Sequence, residues 1–238
     1  MILTIGPGGC GFTFLNWSIT YLRGDEVYVS LTNKTYCVTE DPLHSNGTAH
    51  NQQKDHITSI TELPLLDQAT EQSVVYVVPT HQSDIKELLP LPGKKIIFDT
   101  NLHSDKLMAR TCCVVPNTPF IQLIKQLSTK YNKQIVKQIL IESNQFFTKY
   151  YQIDPAYKDC IKVDYDDIFE NLDQRIFDIF TYLELQIVPH RLTNWQTIYQ
   201  QYRSTNKNWL KTFLNEPVSV DNATKTKIIK ELIQWKNG

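Results

Sequence analysis

Residues 1–19 read MILTIGPGGCGFTFLNWSI. Ile2 to Ile5 is a short apolar run, the stretch from Gly6 to Gly11 is rich in glycine, and Phe14, Leu15, Ile19 and Leu22 then recur at helical spacing. Apolar patterning that switches from continuous to a helical period across a glycine cluster reads as strand, tight loop and helix, with Gly24 as the helix stop. Gly6 to Thr13 spells G-P-G-G-C-G-F-T, which has the spacing G-x-x-x-x-G-K-[ST] of a phosphate-binding loop, with Phe12 at the lysine position. Such a loop acts through its backbone. Glycines admit positive φ and close approach, the N–H groups converge, and the helix N-terminus adds about half a positive charge. Thr13 adds a hydroxyl, and none of these contributions needs a lysine. The plainer alternative is a tight strand-to-helix turn without a ligand.

Downstream, Ser73–Val78 (SVVYVV) and Lys94–Phe98 (KKIIF) are continuous apolar runs of the kind found in strands buried on both faces. Cys160–Val163 and Thr111–Val115 are further strand candidates, and Glu26–Leu31 and Lys34–Val38 alternate as strands do. Residues 40–70 are polar and read as a surface excursion. Helices are expected over Gln82–Leu89, over Pro119–Tyr151 with a break near Tyr131–Asn132, from about Asp167 to Leu183, and at about 193–203, 206–214 and 222–236. Short apolar strands alternating with helices predict one α/β domain over residues 1–238, three-layered and P-loop NTPase-like, with a mainly parallel sheet and a helical C-terminal part from about 190 to 238. Ligands of such sheets bind outside the carboxyl ends of the strands, where the glycine loop lies by construction.

The composition is that of a soluble globular protein: 41% hydrophobic, 21% charged, net charge −1. This balance argues against a duplex nucleic-acid binder and against a polybasic membrane surface. The five cysteines are odd in number and lack a C-x-x-C pair or a zinc-site spacing, so they read as reduced thiols in a cytoplasmic protein. No run approaches transmembrane length, and no signal peptide is recognisable. Among candidate chemical groups, His81 ends a strand where a general base could act, or is simply a polar residue at a strand–helix junction. Asp164 to Asp167 read as a helix cap rather than a metal site, and Trp195, Tyr199, Tyr202 and Trp209, at helical spacing, read as core. A phosphatase reading of Cys10 fails, because the arginine of C-x-x-x-x-x-R would fall on Asn16.

Three segments together resemble the cytosolic sulfotransferases. The opening loop resembles the family's G-x-x-K-S-G-T-T-[WF]-L: Gly6, Gly11, Thr13, Phe14 and Leu15 match, while Gly9, Cys10 and Phe12 stand at its lysine, serine and first threonine. VVYVVPTHQSDIKELLPLPGKKIIF is similar to the family's strand, K-T-H, short helix, L-P-G-K and strand, with Pro79 at the lysine and Thr80 and His81 matching. IKVDYDDIFENLDQRIFDIFTYLEL, residues 161–185, resembles the stretch containing Y-E-D-L, with Tyr165, Asp166, Asp167 and Ile168 at those positions. The resemblance implies transfer of a sulfo group from 3′-phosphoadenosine-5′-phosphosulfate (PAPS) to a hydroxyl or amine of a small-molecule or glycan acceptor, leaving adenosine 3′,5′-bisphosphate (PAP), without a metal. It implies that Gly8, Gly9, Cys10, Gly11, Phe12 and Thr13 hold the phosphosulfate and that His81 is the base. The family's 3′-phosphate arginine and serine belong to R-N-P-x-D-x-x-x-S; here the segment is DTNLHSDKLMAR, and Ser104 and Arg110 are the candidates. Two other readings remain open. One is an NTP-dependent, kinase-like phosphotransferase using Mg²⁺ and Asp99; the other is a non-catalytic nucleotide- or anion-binding protein of the same fold, favoured by Gly9 and Pro79 in place of two lysines.

Overall fold

The computed structural model describes residues 1–43, 55–57, 60–78, 87–99, 106, 107, 110, 126–132, 135, 136, 139, 159–214 and 220–237. Five strands form a parallel sheet: β1 (Ile2–Ile5), β4 (His56–Ile57), β5 (Val74–Val77), β6 (Lys94–Phe98) and β7 (Ile161–Val163), in the order β4-β5-β1-β6-β7. In register, Ile2 lies between Val74 and Lys94, and Ile5 between Val77 and Ile97. The chain leaves β1 for the β4 edge, returns through β5, then crosses β1 to β6. Its connections therefore diverge at the carboxyl end of β1, the switch point that opens a crevice in parallel sheets.

Because side chains alternate across a sheet, each central strand feeds two apolar layers. Ile2, Val74, Tyr76, Ile96 and Phe98 pack with the helices. Leu3, Ile5, Val75, Val77 and Ile97 pack on the other face with Leu31 and Leu88, under a 3-10 helix (Ile60–Gln68). Burial on both faces is why these strands read as unbroken apolar runs.

The helices are α1 (Phe12–Leu22), α2 (Tyr165–Phe169), α3 (Leu172–Leu183), α4 (Pro189–Leu214) and α5 (Asn222–Asn237). The acidic stretch does cap a helix, but the N-cap of α2 is Asp164, whereas the sequence pointed to Asp166 or Asp167, which fall in its first turn. Asp164 Oδ1 accepts from the Asp167 N–H at 2.9 Å, and Asp167 Oδ2 accepts from the Asp164 N–H at 3.1 Å. Buried Trp195, Tyr199 and Tyr202 bring α4 onto α1 and α2, as expected: Tyr202 stacks on Phe14 at 4.1 Å, and Trp195 Nε1 donates to Ser18 Oγ at 2.9 Å. Arg191, also from α4, donates to the Tyr21 and Asp25 carbonyls at 3.0 and 2.7 Å, placing a cation at the carboxyl end of α1. No described helix is long and apolar enough to cross a membrane.

Several expectations are corrected. Residues 26–38 do form strands, β2 (Val27–Val29) and β3 (Thr35–Cys37), but as a separate antiparallel pair. The stretch 40–70 is more than a surface excursion, since it contributes edge strand β4 and the 3-10 helix. The helix expected from about 167 is two helices, α2 and α3, parted at Glu170–Asn171, and those expected at 193–203 and 206–214 are the single helix α4. The Thr111–Val115 strand lies outside the described residues, as does most of Gln82–Leu89 and of Pro119–Tyr151. Of the latter, residues 126–130 are helical and Tyr131–Asn132 are not.

The β2–β3 pair is tied to the main sheet through a buried carboxyl. Tyr28 donates its hydroxyl to Asp55 Oδ2 at 2.5 Å, and the Leu31 N–H donates to Oδ1 at 2.8 Å. Desolvation holds the Asp55 carboxyl above its ordinary value of 3.8, against the opposing pull of these two hydrogen bonds. The folded protein thus keeps this proton to higher pH than the unfolded chain. The contribution is complete below pH 3.8 and is lost as pH rises through the folded value. Urea titrations should show the wild type losing stability relative to Asp55→Asn as pH rises through this window. Parallel curves would acquit Asp55.

Candidate functional site: the glycine loop at the carboxyl end of β1

The loop leaves the sheet under tight steric control. The Gly6 N–H continues the ladder to the Val77 carbonyl at 3.2 Å, and a Cβ on Gly6 would stand 2.8 Å from Phe98 Cβ. The Pro7 carbonyl accepts from the Cys10 N–H at 3.2 Å and from the Tyr76 hydroxyl at 2.6 Å, which pins the turn to β5. Gly11 then takes φ +89° and ψ 3°, the left-handed region, and serves as the N-cap of α1 without a side-chain cap. Its carbonyl accepts the N–H groups of Phe14 and Leu15.

The residue at the lysine position of the phosphate-loop pattern points inward. Phe12 is fully buried, edge-on to the rings of Tyr76 at 5.6 Å and Phe98 at 5.9 Å. Cys10 is fully buried beside it, with Sγ 3.4 Å from the Tyr76 hydroxyl. Burial pushes this thiol up to about 12, against the opposing pull of the Tyr76 hydroxyl, the Phe12 N–H and the Arg110 charge, so it stays protonated and is not a nucleophile. The backbone accounts divide accordingly. The Cys10 N–H is used within the turn and that of Phe12 faces the Cys10 sulfur, whereas the N–H groups of Gly9, Gly11 and Thr13 have no partner among the described residues. Gly8, Gly9 and Thr13 are partly open to solvent, while Pro7, Cys10 and Gly11 are buried beneath. Of these donors, those of Gly9 and Thr13 lie on the solvent-facing rim at the helix N-terminus, a surface suited to an oxyanion, with Gly11 buried beneath them.

Arg110 reaches this loop from 101 residues beyond Gly9 in the chain. Its guanidinium donates to the Gly9 carbonyl, to Asn206 Oδ1 at 2.7 Å and to the Tyr202 hydroxyl at 3.1 Å, and lies 4.5 Å from the Phe169 ring centre. Sequence reasoning missed Tyr76, Tyr202 and Asn206 as supports of the site. Tyr202 and Asn206 lie more than 90 residues from Arg110, so no local spacing signals them.

The two lysines of β6 are elsewhere. Lys94 and Lys95 sit at the amino end of β6, where Lys94 pairs with Glu184 and Lys95 donates to the Leu91 and Gly93 carbonyls. Asp99, the acid of the phosphotransferase reading, follows β6 at the same edge as the loop, and its N–H donates to the Val163 carbonyl at 2.7 Å. Pro79, Thr80, His81 and Ser104 lie outside the described residues. Asp166 pairs with Lys106 and Asp167 with Arg175, and among the described residues no group of three His, Cys, Asp or Glu could hold a metal. No family model, no curated protein and no solved structure matches the chain.

Proposed function

We propose that the chain binds the anionic end of a nucleotide on the glycine loop and acts as a sulfotransferase, moving a sulfo group from PAPS to a hydroxyl or amine acceptor. The observation that carries this reading is the pair of open N–H groups of Gly9 and Thr13 at the N-terminus of α1, at the switch point of a parallel sheet. These donors fit the phosphosulfate end of PAPS, whose sulfur–oxygen bond supplies the group transferred. Displacement of this kind depends on positioning and charge stabilisation, which backbone donors and a helix terminus provide. The Thr13 hydroxyl would bond an oxygen of the donor, and His81 would take the proton from the acceptor. The resemblance of three sequence segments to the sulfotransferases supports the choice of reaction.

The second reading, a non-catalytic anion-binding protein, is favoured by two observations: Phe12 turns its ring into the core, and Lys94 and Lys95 are held at the opposite end of the sheet.

Calorimetric titration with PAP, and separately with ATP and Mg²⁺, distinguishes these readings from the phosphotransferase. PAP should bind saturably, and Thr13→Ala should weaken it by about tenfold or more, the worth of a hydrogen bond to a charged group. Tighter binding of ATP with Mg²⁺, unaffected by Thr13→Ala, would overturn the assignment. For catalysis, His81→Ala should lower sulfo-transfer turnover by at least about a hundredfold while PAP affinity holds. An unchanged turnover per folded molecule would remove His81 as the base, and saturable PAP binding without transfer would favour the binding protein.

A further inference from the structure

We propose that Arg110 is the counter-charge of the oxyanion bound on the glycine loop, supplying from a distant part of the chain the cation that the loop itself lacks. This rests on the anion-binding reading of the loop. Arg110 is only 5% exposed, and its guanidinium is a cation with five N–H donors and no acceptor. Burying a charge without an opposite one is strongly unfavourable. Yet among the described residues Arg110 makes no ion pair. The acids in and just after α2 are paired with other cations: Asp166 with Lys106 at 2.7 Å, Asp167 with Arg175 at 3.6 Å, and Glu170 with Lys207 at 2.8 Å and Arg203 at 3.7 Å.

Among the described residues, every hydrogen-bond partner of Arg110 is neutral. The Gly9 carbonyl, Asn206 Oδ1 and the Tyr202 hydroxyl take three of its N–H groups, and the Phe169 and Tyr202 rings lie 4.5 and 6.0 Å from the guanidinium carbon. Dipoles and ring faces orient the charge without cancelling it. Two of the five guanidinium N–H groups have no partner among the described residues. On α2, the Tyr165 hydroxyl is likewise buried and unpartnered, and it feels the Arg110 charge. The cation is held against the loop, because it bonds the carbonyl of Gly9, whose own N–H is one of the open donors. An oxyanion over Gly9 and Thr13 would meet the backbone donors of both residues and this charge together. The ligand class is therefore a phosphate or sulfate group, free or as the end of a nucleotide.

The test titrates inorganic phosphate and PAP into wild type, Arg110→Gln, Arg110→Lys and Asn206→Asp, with a thermal melt of each. Arg110→Gln should weaken both ligands by at least about tenfold, and Arg110→Lys should fall between it and wild type. Asn206→Asp puts a carboxylate where Asn206 Oδ1 lies 2.7 Å from Arg110 Nε. It should weaken both ligands by about tenfold without lowering the melting temperature, because an internal charge then competes with the ligand. Ligand affinities within twofold of wild type in Arg110→Gln, or in a stabilised Asn206→Asp, would make Arg110 a neutral-partnered strut and overturn the proposal. If Arg110→Gln fails to fold, Asn206→Asp decides alone. Weakening of PAP but not of phosphate would move Arg110 to another part of the nucleotide and overturn its role at the loop. A wild type that binds neither ligand would bring down the loop reading itself, a different result from one that binds both regardless of Arg110.

Discussion

Phe12→Lys is expected to unfold the protein instead of completing a phosphate-binding loop. In the sequence pattern this substitution restores the one absent element, and on a solvent-facing loop it would be benign. In the fold, the Phe12 ring is fully buried between Tyr76 and Phe98. Removing such a ring costs about 3–5 kcal/mol, as in Phe→Ala substitutions. An ammonium in its place adds several kcal/mol of desolvation, with no acid to pair with it in the Tyr76–Phe98 contact. Against a total stability of about 5–15 kcal/mol for an ordinary domain, the sum leaves little or no folded protein. Urea denaturation followed by circular dichroism should show no cooperative transition for Phe12→Lys and a reduced midpoint for Phe12→Ala. A well-folded Phe12→Lys with increased nucleotide affinity would mean that residue 12 faces the ligand.

Gly11→Val should be nearly as damaging, for a reason other than ligand approach. The loop pattern suggests that a Cβ at Gly11 would obstruct an anion. In the structure that Cβ would stand 2.6 Å from Ile168 Cγ2 and 2.7 Å from Phe169 Cζ, both on α2. It would also force a branched residue into φ +89°, a left-handed conformation that costs about 1–2 kcal/mol for a residue with a Cβ. Overpacking adds about 1–3 kcal/mol, so a loss of about 2–5 kcal/mol is expected. A double-mutant cycle separates the two causes. Combining Gly11→Ala with Ile168→Ala should recover about 0.5–3 kcal/mol of coupling, because truncating Ile168 relieves the clash but not the backbone strain. Strict additivity would show that Gly11 is required for its conformation alone. Either way, loss of nucleotide binding in Gly11→Val follows from damage to the loop's support, which is why Thr13→Ala is the better probe of the site.

The central strands were legible because local pattern and final environment agree. Strands buried on both faces require continuous apolar residues, and SVVYVV and KKIIF are such runs. The strand–glycine–helix opening and the acidic cap of α2 are also local, set by dihedral preference and by partners three residues apart. Edge strand β4, at two residues, is too short to leave a pattern. The break expected in α4 falls on polar Ser204 and Thr205, but the helix runs through it. Thr205 donates its hydroxyl to the Gln201 carbonyl at 3.1 Å, and the next residue, Asn206, is 1% exposed, its amide oxygen accepting from Arg110 and its Nδ2 donating to the Tyr202 carbonyl at 2.8 Å.

By itself, then, the sequence determined a parallel α/β sheet with a glycine loop at the carboxyl end of its first strand, because periodicity, caps and positive-φ glycines act over a few residues. The tertiary structure alone decided which way the loop's side chains face and where its positive charge comes from. Phe12 turns inward because Tyr76 and Phe98 arrive from neighbouring strands. Arg110 meets Gly9 across 101 residues of chain because α2 and α4 close around it. Side-chain direction and charge balance are fixed by whatever packs alongside, and no local spacing records contacts made at such separations.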